Sequence, residues 1–142
     1  GQLIAHALGA NVSRNPQQEL GWTAVKRSAS VSNRYFQPPS EIQVMQWHSE
    51  TFEIPKGAVR LAENQICTNQ MYQIGENVLG FQFHPEITPQ VLKSFIENEE
   101  HEKQFSAHFK PQIEILKKSK KQQFEAGNML LNSAIDYVLR EK

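Results

Sequence analysis

Val78-Leu79-Gly80-Phe81-Gln82-Phe83-His84-Pro85-Glu86 is the stretch from which the rest of the chain is read. Val78, Leu79, Phe81 and Phe83 form a β-branched and aromatic run long enough for one buried strand. Pro85 closes it, because proline offers no backbone N–H to a further ladder bond. The strand therefore delivers His84 and Glu86 to a loop at its end. An imidazole with a carboxylate two residues on has the composition of a base and its orienting partner, two members of a triad that still needs a nucleophile. Spacing alone leaves a second reading open, a core strand that ends in a satisfied histidine.

Length and composition set the frame. A chain of 142 residues usually makes one domain with a respectable core. Fifteen basic and fifteen acidic residues leave no net charge, so nothing in the total points to nucleic acid or to an acidic membrane surface. A single cysteine excludes an internal disulfide framework. No apolar run approaches the roughly 18 residues of a membrane span, and the first residues lack the charged and apolar regions of a secretory leader. The expectation is a soluble, cytoplasmic protein.

Working outward from the central stretch, three strands are expected close together: Val59 to Ala62, Gln70 to Ile74, and Val78 to Phe83. Gly75-Glu76-Asn77 joins the last two at hairpin length, which makes them antiparallel. Upstream, Ile42 to His48 is a further strand with its polar residues at the end, and Thr51 to Gly57 a turn-rich link. Leu20 to Lys26 is another strand with one wet face. Asn11 to Arg14 is a short strand separated from it by a turn at Asn15-Pro16-Gln17-Gln18. The polar segment from Ser28 to Ser40 is expected on the surface, near the mouth of the site. Leu3, Ile4, Ala7 and Leu8 fall at helical spacing, with Gly9 in the place of a C-terminal cap.

Downstream the period becomes helical. Thr88 is a candidate N-cap with Pro89 at the first position, and Val91, Leu92, Phe95 and Ile96 make an apolar stripe. Phe105, Phe109, Ile113 and Leu116 sketch a second helix with a restart at Pro111. Met129, Leu130, Ala134, Tyr137 and Val138 are the expected buried face of a last one. The lysines from 117 to 121 suit a helix C-terminus better than a phosphate site. His101 and His108 lack a fixed carboxylate or cysteine nearby, so no metal site is expected. Trp22 is expected in packing, His48 as a brace for its loop, and Cys67 as a buried structural thiol.

Gly80-Phe81-Gln82-Phe83-His84-Pro85-Glu86, preceded by Gln46-Trp47-His48-Ser49-Glu50 and by Glu19-Leu20-Gly21-Trp22, resembles the class I glutamine amidotransferase family. Its GMP-synthase-like members are the nearest in pattern. The likeness runs from Gly1 to about Thr88, with separated motifs in the expected order. It implies an α/β fold: the C-terminal part of a doubly wound, flavodoxin-like domain with added antiparallel strands and C-terminal helices. Residues 1–88 would form a sheet-rich part and 89–142 the helices of one partial domain. It also implies a glutaminase reaction through a Cys-His-Glu triad in which His84 is the base and Glu86 its orienting carboxylate, with no cofactor.

In the family the nucleophile sits in a turn reading Cys-x-Gly-x-Gln. Gln2 matches the glutamine of that turn, which would put the cysteine just before Gly1 and outside this chain. Trp47, Ser49 and Glu50 match a loop that approaches the substrate glutamine, where the Glu50 carboxylate is suited to pair with the α-ammonium group. Without the sulfur, the chain alone is expected to have no measurable glutaminase activity. The apolar face of the helix from Leu3 to Leu8 is expected to be covered in a homodimer or by a separate chain that supplies the missing half. Two alternatives remain open: a non-catalytic remnant or interaction module, and a fragment of a γ-glutamyl hydrolase.

Overall fold

The computed structural model describes residues 1–29, 31–102 and 109–140. Its elements are α1 (Gln2–Ala7), β1 (Val12–Arg27), β2 (Glu41–Phe52), β3 (Ala58–Glu63), β4 (Met71–Ile74), β5 (Val78–Phe81), α2 (Pro89–Glu102), α3 (Lys110–Leu116) and α4 (Lys121–Leu139). The strands form one sheet in the order β2-β1-β3-β4-β5, and the described pairings are antiparallel. The sheet curls until its two edges meet. Past the end of β5, the backbone N–H of Gln82 donates to Gln70 at 2.9 Å, and that of His84 donates to Met45 of β2, also at 2.9 Å.

One expectation is corrected in β1. The predicted turn at residues 15–18 does not divide two strands; it is an irregularity within a single strand, where the register against β2 shifts between Arg14 and Glu19. Pro16 has no N–H to give to a ladder, so pairing lapses there without the chain reversing. The Asn15 side chain fastens the bulge, donating to the carbonyls of Gln17 at 2.7 Å and Ile66 at 3.1 Å. β2 likewise runs through Thr51 to Phe52, where a link had been expected.

Alternation along β2 sends Val44 and Met45 to opposite faces. Val44 joins Val25, Leu61, Met71, Phe83, Leu130 and Ala134 in one buried cluster. Met45 joins Ile87, Leu92, Ile96, Ile113, Leu116 and Phe124 in another. Helices therefore cover both faces of this strand. Trp22 packs edge-on against Phe124 with ring centroids 5.1 Å apart, and its Nε1 donates to Ser119 at 2.8 Å, the packing role expected of it.

Most described residues of the 28–40 segment are exposed, as expected, but Phe36 and the placement relative to the site differ. Phe36 is buried, and its backbone N–H donates to the Gln73 side chain at 2.8 Å. The ring meets Tyr137 edge-on at 5.3 Å, so the segment is folded back onto the sheet and away from the cleft described below.

The helices follow most of their predicted signals. Thr88 accepts the Val91 N–H at 3.2 Å, capping α2, and Pro111 stands in the first turn of α3. Phe124, Gly127, Leu130 and Ala134 are the buried residues of α4, but Met129 is 68% exposed. It stands about 100° around the helix from Leu130, off the stripe that repeats every three to four residues. Lys117 caps the C-terminal end of α3 as expected, whereas Lys120 and Lys121 open α4. Phe105, His108 and the side chain of His101 lie outside the described residues.

At the other end of the sheet α1 lies against β2 and β5. It ends at Gly9, whose φ of 81° is the left-handed cap expected there. Ala5 is buried, while Leu3, Ile4 and Leu8 are 86%, 38% and 48% exposed. Tyr72 holds the start of this helix: its hydroxyl donates to the Gly1 carbonyl at 3.0 Å. The ring reaches across β5 at Gly80, where a Cβ would fall on the ring carbons. That close approach needs glycine.

Candidate active site

The meeting of the two sheet edges opens a cleft of about 610 Å³. All six residues singled out from the sequence, Gln2, Trp47, Ser49, Glu50, His84 and Glu86, line it. Gln2 arrives from the first turn of α1, the 47–50 residues from the far end of β2, and His84 and Glu86 from the loop that follows β5.

His84 and Glu86 are in direct contact, with Nδ1 2.7 Å from a carboxylate oxygen. The imidazole is about a quarter exposed and the carboxylate about half. Burial works to raise the Glu86 carboxyl. The hydrogen bond from His84, Glu86's own backbone N–H and the charge of His84 outweigh burial and hold the group below its ordinary value. With Nδ1–H donated to Glu86, the neutral ring carries its lone pair on Nε2.

Residues beyond those six hold the pair in place. Phe95 of α2 stands edge-on to both the His84 ring at 5.8 Å and the Trp47 ring at 5.5 Å. Asn128 of α4 donates to the carbonyls of Pro85 at 2.8 Å and Ile87 at 3.1 Å, the two residues flanking Glu86. Nothing in the sequence marked Asn128: an amide in a helix carries no pattern of its own until its partners 41 and 43 residues upstream are placed.

Gln2 spans the cleft, with Nε2 3.4 Å from the Glu50 carbonyl and 3.5 Å from the Gln82 side-chain oxygen. The Glu50 side chain itself is exposed. His48 lies behind the loop and is buried. Its Nδ1 is 2.8 Å from the Glu50 carbonyl, and its Nε2 is 3.1 Å from both Glu19 and Gln46, an arrangement that braces the loop.

Cys67 is 1% exposed, does not line the cleft, and shares a 3.3 Å contact with the Thr51 hydroxyl. Burial pushes its thiol up and Glu19 adds to the rise, against the lowering effect of hydrogen bonds with Thr51 and Asn69. Such a sulfur is a buried hydrophobe rather than a nucleophile. The ligand-type atoms of Glu19, His48 and Cys67 come within 4.8 Å of one another, each already held in hydrogen bonds.

The fold and the cleft define an α/β domain whose reactive groups gather where strands end. The chain belongs to the class I glutamine amidotransferase family, whose pattern, described as "Glutamine amidotransferase class-I", matches residues 1–103. It is 31% identical over 105 residues to the putative glutamine amidotransferase-like protein YfeJ of Salmonella typhimurium, covering 71% of this chain and 43% of that protein. It is 32% identical over 102 residues to γ-glutamyl peptidase 4 of Arabidopsis thaliana, covering 68% and 41%. GMP synthases are among the further relatives.

In structure it is similar to a glutamine amidotransferase from Thermotoga maritima. The TM-score is 0.77 and the identity 26%, over 99% of this chain and 59% of that one. The chain thus spans less than two thirds of the length of these relatives. Among the described residues no helix is long and apolar enough to cross a membrane.

Proposed function

We propose that this chain carries the base half of a glutaminase site, with His84 as general base and Glu86 as the carboxylate that fixes its tautomer. The observation that carries the reading is the 2.7 Å contact between His84 Nδ1 and Glu86 at the wall of an open cleft. The nucleophile is a cysteine of the Cys-x-Gly-x-Gln turn, supplied by the segment that leads into Gln2 or by a separate chain. Cys67, buried and away from the cleft, is unsuited to the task.

His84 Nε2 takes the thiol proton as the sulfur attacks the side-chain amide carbon of glutamine. As the C–N bond breaks, the same nitrogen returns the proton to the departing amine, and ammonia leaves a glutamyl thioester. Water, deprotonated by Nε2, then attacks the thioester and releases glutamate. Glu86 stays ionised throughout and stabilises the imidazolium that forms in each half. Gln2, Trp47, Ser49 and Glu50 are the substrate-side residues, with the exposed Glu50 carboxylate placed to receive the α-ammonium group. No metal or cofactor takes part.

The likeness to γ-glutamyl peptidase 4 favours one second reading, in which the amide cleaved is that of a γ-glutamyl peptide and an amine leaves in place of ammonia. Both readings use the same residues, and both differ from a non-catalytic remnant. Assays of the chain joined to the proposed Cys-x-Gly segment, with glutamine and with a γ-glutamyl dipeptide, separate the three. Ammonia from glutamine is the expected result, with none from the 142-residue chain alone. Amine release from the dipeptide alone would favour the peptidase. Inactivity on both would leave the remnant.

A further inference from the structure

Behind the cleft lies a second histidine–carboxylate pair, and its chemistry is unlike that of the first. Glu19 of β1 is 2% exposed, and among the described residues its ion-pair partner is His48 at 3.1 Å. One oxygen accepts from Asn64 at 2.7 Å and from the Thr23 hydroxyl at 3.5 Å; the other accepts from Gln70 at 2.8 Å and faces His48 Nε2. Four partners match the acceptor capacity of an ionised carboxylate.

The direction of the hydrogen bonds then propagates. Gln70 gives its amino group to Glu19, so its oxygen accepts from Gln46 Nε2 at 3.0 Å. The Gln46 oxygen is left facing His48 Nε2 at 3.1 Å. With Glu19 ionised, Nε2 meets two oxygens that have no hydrogen to offer, and Nδ1 meets a third, the Glu50 carbonyl at 2.8 Å. Each ring nitrogen must bear a hydrogen. A ring that bears both is a cation.

We propose that His48 is held as an imidazolium by the buried Glu19 carboxylate, and that this ion pair is the positioning device of the cleft loop. The cation fixes the Glu50 carbonyl, the same oxygen approached by Gln2 at 3.4 Å, and so sets where Ser49 and Glu50 stand across the cleft from His84. That this position matters for turnover rests on the glutaminase reading; the charge state of the pair does not. Cys67 also stands within 4.8 Å of the ring's ligand-type atom, and its thiol, pushed up by burial, brings no competing charge.

A metal ion between Glu19, His48 and Cys67 is the competing arrangement. It excludes the first, because a metal would need the Nε2 lone pair where the cation carries a hydrogen.

The test is an imidazole nitrogen spectrum of the purified, isotope-labelled chain at neutral pH, with His84 as an internal contrast. The expected result is that both His48 nitrogens show directly bonded, exchange-protected hydrogens. Glu19→Gln is expected to remove one of these hydrogens and move the backbone amide signals of Ser49 and Glu50. Glu19→Asp, which keeps the charge, is expected to preserve both hydrogens.

A wild-type ring with one hydrogen would overturn the proposal. So would an imidazolium or loop amides unchanged in Glu19→Gln, or loss of the Nε2 hydrogen on adding stoichiometric zinc. If Glu19→Gln does not fold, the wild-type and Glu19→Asp spectra still decide the charge. No turnover is read, so a failed glutaminase assay leaves the result intact.

Discussion

His84 and Glu86 stand 2.7 Å apart across a proline, and the peptide between them is tied down from outside by the side-chain amide of Asn128. A flexible loop would lose that contact for much of the time. Here a proline, a helix and an aromatic ring on α2 each remove freedom from the pair before any substrate arrives.

The depressed Glu86 carboxyl predicts a pH effect of definite sign. A carboxylate whose folded value lies below its unfolded value of about 4.3 stabilises the fold above that value, and the contribution is lost as pH falls through the folded value. Because Glu86 is half exposed, solvent screening limits the effect to about 1 kcal/mol or less. Urea midpoints of wild type and Glu86→Gln are expected to differ at neutral pH and to converge as the pH falls through the folded value.

The two neighbours on α4 should separate cleanly. Leu130→Ala removes a side chain buried between sheet and helix and is expected to cost about 2–5 kcal/mol. Met129→Ala, at an exposed position, should stay within about 0.5 kcal/mol. Chemical denaturation of both checks this, and similar losses would mean that α4 is rotated from its described face.

At Gly80 an added methyl meets the Tyr72 ring. Gly80→Ala is expected to destabilise by about 1–3 kcal/mol and to release the Tyr72 hydroxyl from the Gly1 carbonyl. Tyr72→Phe, which loses only the hydrogen bond, should cost about 1 kcal/mol. Thermal unfolding of the two variants reads the difference.

Exposed Leu3 and Leu8 predict association. Covering a large apolar side chain is worth about 1.5–3 kcal/mol, and α1 presents two or three of them. At micromolar concentration the chain is expected to sediment as a dimer or larger, and Leu3→Ser with Leu8→Ser to shift it toward monomer. A wild-type monomer that unfolds cooperatively would count against a covering partner.

Much of this was legible in advance wherever a local rule governs. β5 stops at Phe81, short of the expected Phe83 and ahead of Pro85, yet His84 and Glu86 do share the loop that follows. Thr88 and Pro89 started a helix, and Gly75-Glu76-Asn77 turned a hairpin. The errors fall where a long-range contact decides. Pro16 was read as the end of a strand because the pairing of β1 with β2 on either side of it is invisible locally. Phe36 was assigned to the surface because the Gln73 amide that receives its backbone lies 37 residues downstream. Met129, expected on the buried face of the last helix, is turned out by the phase of α4. The Glu19–His48 network was missed for the same reason, since its members come from three separate segments.

The most direct test of the account is single-turnover glutamine hydrolysis by the chain joined to the proposed Cys-x-Gly segment, comparing wild type with His84→Ala. If His84 is the base, the variant remains folded and binds glutamine, while thioester formation slows by about 10³-fold or more. An undiminished rate in folded His84→Ala would contradict the account, because the proton would then be moving through some other group.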